Sequence, residues 1–342
     1  MSSAILHRRQ TLRTTTTLTA LAALTSALTL LALCAGDTWL TPNTVIQALR
    51  GDSPTHAYIV TELRTPRAIS AFVAGFGLGI SGAITQAVLR NPLASPDIIG
   101  VTAGASTAVV AVVAGGTGFI LTAAGGSIAA TAVLGGLIAA VAVIFLSWKK
   151  EPSRSSLKPG RIVIVGLGIN AAMGSLAYWF LLRADTPDLT AALIWLSGSL
   201  NQAHLSVTLP ALAVILGGTL VIVCSQHWLK ILRFDEITIR SLGTRPARAQ
   251  LVQLAIAVII ASAATAIAGP IAFVAFVSPH IAVRLSRGEN THPIAAALVG
   301  SALVLAADIA AREAFPVNLP VGLVTALCGA PFLLWILTRK KT

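Results

Sequence analysis

Arg64 and Arg67 stand on either side of Thr65-Pro66, and Arg312 follows Asp308 by one helical turn. A guanidinium offers a planar fork of donors that matches a carboxylate, so these residues could recognise an acidic protein surface. They could equally be solvated cations, with Asp308 and Arg312 forming an i, i+4 pair inside their own helix. His204 and His280 are the most ligand-like of the six histidines, but no second His, Asp or Glu stands at metal-ligand spacing beside either. Cys34, Cys224 and Cys328 lie in or beside apolar segments without a CxxC pattern, which argues for neither a disulfide nor a metal site. Gly77 to Gly82 reads G-x-G-x-x-G, yet no strand precedes it and the surrounding run is apolar. The glycines there, with Gly75, Gly79 and Gly82 foremost, are expected to admit close helix packing rather than a dinucleotide. The sequence has no G-x-x-x-x-G-K-[ST] phosphate loop and no catalytic cluster on its apolar runs, so any nucleotide hydrolysis that drives it belongs to another chain. No cofactor is expected on this chain.

The segments that must carry these residues are overwhelmingly apolar. Of 342 residues, 55% are hydrophobic and 11% charged, against roughly 25% charged in an average soluble domain. This composition predicts an all-α polytopic membrane protein. The net charge of +12 is dispersed in short clusters between apolar runs, which excludes a nucleic-acid-binding face and instead reports orientation. Apolar runs predict ten spans, near 17–36, 66–90, 98–115, 118–147, 162–182, 206–225, 250–268, 270–284, 294–312 and 320–338. With both termini inside, nineteen of the 24 Lys and Arg residues fall on the cytoplasmic side. Residues 1–16 then form a cytoplasmic N-terminal segment, 17–338 a single transmembrane domain, and 339–342 a cytoplasmic tail. The basic start followed by an apolar run is expected to be a retained first helix rather than a cleaved leader. The run from Pro270 to Arg284 is too short to cross alone and contains Pro279, so it is expected to be broken and to lie inside the bundle. The polar stretch Phe234 to Gln250 reads as two short surface helices around Leu242-Gly243, either a solvated connector or a docking element for a cytoplasmic partner.

Five blocks carry a resemblance to a known family: LRTPRAISAFVAGFGLGISGAITQAVLRNPLASPDIIGVTAGAS (Leu63 to Ser106), IWLSGSLN (Ile194 to Asn201), DEITIRSLG (Asp235 to Gly243), AGPIAFVAFVSPHIAVRL (Ala268 to Leu285) and LPVGLVTALCGAPFLLWIL (Leu319 to Leu337). In this order they resemble the FecCD family of ATP-binding cassette (ABC) importer permeases, which carry ferric siderophores, haem and cobalamin across bacterial inner membranes. The resemblance implies a ten-helix, type II importer fold like that of the cobalamin permeases. It also implies a second permease, homologous but different in sequence, two ATPase subunits that bind ATP and Mg, and an extracytoplasmic siderophore-binding protein. By the same resemblance, Arg64, Arg67 and Arg312 fall on arginines that grip glutamates of the binding protein. Asp235, Glu236, Leu242 and Gly243 fall on the loop that seats in the ATPase, and Pro159 and Gly160 on the inner gate. At the gate the chain departs from the small hydroxyl residues of cobalamin permeases. GSLNQ (Gly198 to Gln202) and SPHIAVRLSRG (Ser278 to Gly288) are most similar to permeases for ferric enterobactin-type siderophores. The implied mechanism is alternating access driven by partner ATPases. The rival from another class is an ion-coupled secondary transporter, which needs ionisable groups at depth, where Asp308 is the main one available.

Overall fold

In a computed structural model the chain is described over residues 3–115, 127–148, 159–232, 234, 236–241, 246–286 and 292–338, and among these it is helical with no strand. Helices are what an apolar chain must form in lipid, because every backbone N–H and C=O has to be satisfied within the segment. The described helices are α1 (Ser3–Cys34), α2 (Pro42–Arg50), α3 (Pro54–Tyr58), α4 (Thr65–Leu89), α5 (Val101–Val113), α6 (Ile128–Ser147), α7 (Pro159–Leu181), α8 (Thr186–Leu196), α9 (Leu205–Cys224), α10 (Gln226–Ile231), α11 (Glu236–Ser241), α12 (Pro246–Ala268), α13 (Val274–Ser286), α14 (Pro293–Glu313) and α15 (Val321–Thr338). A π-helical segment, Ile59–Arg64, runs from α3 into α4, and a 3-10 turn, Pro96–Ile99, precedes α5. Among the described residues seven helices are long and apolar enough to cross a membrane, and three shorter apolar helices, Val101–Val113, Val274–Ser286 and Val321–Ile336, complete the ten expected positions. Most of the expected extension to 118–127 falls outside the described residues.

Two compact units partition these helices, with boundaries inside α4, after Ser197, inside α9 and after Pro270. The first unit holds Met1–Ala83, Gly198–Leu209 and Ile271–Thr342. Its centre is made of small residues: Ala83, Ala282, Ala295 and Ala296 pack with Leu21 and Val299. Glycine lets α4 meet its neighbours backbone to backbone. A methyl group at Gly75 would overlap the Gly300 carbonyl, one at Gly79 the Ala296 carbonyl, and one at Gly82 the Ala275 carbonyl. The last contact has a local cause. Pro279 lacks the N–H that would bond Ala275 four residues earlier, and the exposed carbonyl is covered by the glycine of α4.

The broken helix predicted at 270–284 begins instead at Val274. Gly269 (φ 70) ends α12 in the left-handed region, and Pro270 to Phe273 are not helical. Thirteen helical residues rise about 20 Å, less than the roughly 30 Å hydrocarbon thickness, so α13 leaves its approach as irregular backbone. Ile271 there is 2% exposed, as irregular backbone at membrane depth requires.

The second unit holds Ile84–Ser197 and Pro210–Pro270. Its α5 and α6 touch where Gly104 faces Gly135, while Gly136 lies against Val101 and Ser262, and Gly166 of α7 covers the Ile98 carbonyl. Asn170 donates to the Asp97 carbonyl oxygen at 2.9 Å, and Thr102 donates to the Asp97 carboxylate at 2.9 Å. Burial pushes that carboxyl above its ordinary range, while the Thr102 and Ser95 hydroxyls act the other way. Ile138, Phe145, Ile164 and Leu167 are exposed on α6 and α7, as suits surfaces that meet lipid or another apolar chain. The short helix α8, over Thr186–Leu196, was not among the expected spans; its Trp195 packs on the cluster of Ala105, Val109, Ala132 and Ala266.

Candidate functional site

The last carbonyls of an α-helix have no partner within the helix and carry the negative end of its dipole. At the end of α1 these groups meet arginines. Arg64 donates through Nη1 to the carbonyl oxygens of Leu33 and Cys34, both at 2.9 Å, and through Nη2 to that of Thr38 at 2.6 Å. Arg312 donates through Nη1 to Ala35 at 3.1 Å and through Nη2 to Ala32 at 3.3 Å. The π-helical segment sets the entry. Its wider turn ends on Arg64, three residues before Arg67, so the two side chains serve different partners. Gly36, at φ 148, gives way to Arg64: a Cβ there would come within 2.8 Å of Nη2.

Arg67 turns to Asp308. Its Nε lies 2.9 Å from Oδ1 and 3.2 Å from Oδ2, and its Nη2 lies 2.8 Å from Oδ1. Arg312 completes the group, with Nη2 3.2 Å from Asp308 Oδ2. The Asp308 side chain is 0% exposed, and those of Arg67 and Arg312 are 18% and 10% exposed. Arg64 is 7% exposed. Exposed Asp37 and Glu313 lie near enough to act on Arg64 through space. All these residues belong to the first compact unit.

The structure thus brings Arg64, Arg67 and Arg312 together around the end of α1. The solvated-cation alternative does not describe Arg64, which is buried against backbone. The i, i+4 pair of Asp308 and Arg312 exists, yet the shorter contact of Asp308 is to Arg67, 241 residues away in sequence. Sequence reasoning missed that partner. A carboxylate inside an apolar helix needs a counter-charge, and the cations at the start of α4 were the signal that could have supplied one.

On the predicted cytoplasmic face, Asp235, Leu242 and Gly243 lie outside the described residues, and Glu236 opens α11. Of the two short helices expected within 234–250, one lies at Glu236–Ser241; residues 242–245 fall outside the described residues and Pro246 already opens the long α12, while a further short helix, Gln226–Ile231, follows α9. In the second unit Arg90, at φ 48, ends α4 and donates from Nε to the Leu232 carbonyl at 2.6 Å, just after α10. Pro159 and Gly160 form the first turn of α7, and among the described residues nothing lies within 4 Å of where a Cβ at Gly160 would stand. His280 Nδ1 lies 2.9 Å from the Phe276 carbonyl of its own helix. A largely apolar cavity of about 400 Å³ lies among α13, α14 and α15, with Thr325 on its wall; the Thr325 hydroxyl donates to Gly322.

Comparison with known proteins places these features in one context. The chain is 36% identical over 311 residues to the ferric enterobactin transport system permease protein FepG of Escherichia coli K12, covering 90% of this chain and 91% of that one. It is 33% identical over 316 residues to FepD, the ferric enterobactin transport system permease protein of the same strain, covering 91% and 92%. Its fold is similar to that of a metal-chelate type ABC transporter in an inward-facing conformation, with a TM-score of 0.79 at 23% identity, covering 96% of this chain and all of the other. The description of the FecCD transport family matches residues 24–339, and the chain belongs to that family.

Proposed function

We propose that this chain is the membrane-spanning permease subunit of an ABC importer that carries a ferric siderophore of the enterobactin class across the bacterial inner membrane. The observation that carries this reading is the family match over residues 24–339, together with relatives named for ferric enterobactin transport that align over nine-tenths of the chain. Two ATPase subunits and an extracytoplasmic binding protein complete the importer. The two relatives from one strain bear the same system name, which supports a pairing of this chain with a second, different permease. The charge asymmetry of the loops supports cytoplasmic termini.

Alternating access needs no chemistry from the permease. ATP binds one state of the ATPase pair better than the other, and that differential affinity shifts the equilibrium. The segment from Asp235 to Gly243 receives the motion, and Pro159 and Gly160 stand at the inner gate. On the outer face Arg67 and Arg312, both partly exposed, offer donors to acidic side chains of the binding protein. Arg64 supports them by fixing the end of α1. The ion-coupled rival needs a carboxylate free to exchange its ion, and Asp308 is engaged by two guanidiniums instead.

The test is reconstitution of the assembled importer with binding protein and ferric enterobactin. Arg67→Glu places like charge before the acidic partner and is expected to raise the binding-protein concentration for half-maximal ATPase stimulation at least tenfold. Unchanged docking in that variant would remove the outer-face assignment.

A further inference from the structure

Asp308 cannot itself touch a docked protein, because its side chain is 0% exposed. Two partly exposed cations nevertheless converge on it. Arg67 comes from α4 and Arg312 from α14, and both close on the same carboxylate, at 2.8 and 3.2 Å. The two differ in what else holds them. Arg312 is also tied to the carbonyls of Ala32 and Ala35. Arg67 has no hydrogen-bond partner but Asp308 among the described residues, so the direction of its guanidinium rests on that one carboxylate. Its Nη1 makes none of these bonds, so two N–H donors remain without a partner among the described residues.

We propose that Asp308 is the positioning residue of the outer docking face: a buried carboxylate that fixes the spacing and direction of Arg67 and Arg312 for a pair of acidic side chains on the binding protein. The proposal rests on the docking reading above. It predicts an effect opposite in sign to that of charge alone. Removing a negative charge from beneath a cationic surface should tighten the docking of an acidic partner by Coulomb attraction. Loss of positioning should loosen it, because a long side chain freed from its partner must be ordered again on binding.

The experiment uses the complete importer in lipid nanodiscs and the soluble binding protein from its gene neighbourhood, loaded with ferric enterobactin. ATPase stimulation is titrated for the parent, Asp308→Asn, Asp308→Glu and Arg67→Glu. Asp308→Asn is expected to raise the half-stimulating concentration about tenfold, a larger effect than its effect on the maximal rate. Asp308→Glu keeps the charge, moves the carboxylate by one methylene, and is expected to weaken docking severalfold. Docking as tight as the parent's or tighter in Asp308→Asn overturns the proposal. Where that variant does not assemble, parental docking by Asp308→Glu overturns it instead. Parental docking by Arg67→Glu is a separate result, because it removes the docking reading itself.

Discussion

Arg64 and Arg67 are three residues apart, yet they do different work. Arg64 spends its donors on three backbone carbonyls past and within the end of α1 and is 7% exposed. Each charged hydrogen bond of this kind contributes about 1.5–3 kcal/mol, and removing the side chain leaves those acceptors unpaired. Arg64→Ala is therefore expected to lower the thermal midpoint of the assembled complex by several degrees. Arg67→Ala is expected to cost less stability and more docking affinity. Thermal unfolding and ATPase titration on the same two variants separate these effects, and equal losses in both would contradict the division. The sequence made the arginines visible as chemistry, since RTPR and the D-x-x-x-R of α14 are short-range patterns. It could not show that Asp308 meets Arg67, because that contact depends on how α4 crosses α14, and the crossing is set by glycine placement on both helices.

Those glycines decide how closely the helices meet. Gly75, Gly79 and Gly82 lie on one face of α4, where backbone carbonyls of α13 and α14 occupy the space of their missing side chains. Ordinary overpacking costs about 1–3 kcal/mol, and here the obstacle is main chain that cannot rotate away. Gly79→Leu is expected to abolish assembly of the complex, measured as loss of the co-purified ATPase; normal assembly would contradict the close crossing. The ten apolar positions were legible from hydropathy alone. The non-helical start of α13 and the short α8 were not, because their shape follows from Gly269, Pro270 and burial by neighbours rather than from their own apolar pattern. On the predicted inner side the Arg90 contact to Leu232 ties the end of α4 to the chain just after α10, next to the proposed coupling segment. A bulky residue at Gly243, such as Gly243→Val, is expected to leave ATP hydrolysis measurable while siderophore uptake falls at least tenfold. Normal uptake would remove the coupling assignment.

The proposed function makes the molecule as a whole a conduit moved by other chains. Its charged residues are few, the buried Asp308 carboxylate is already paired, and its family is one of transport permeases. Membership was legible in the sequence because five blocks recur in order across most of the chain. Pairing with a second permease was not, since α6 and α7 present apolar faces that suit lipid as well as protein. The most direct measurement compares two sets of liposomes containing ferric enterobactin outside. One holds this chain alone under a proton or sodium gradient, and the other holds the assembled importer with ATP and binding protein. Accumulation is expected only in the second set; accumulation by the chain alone on an ion gradient would contradict the proposed function.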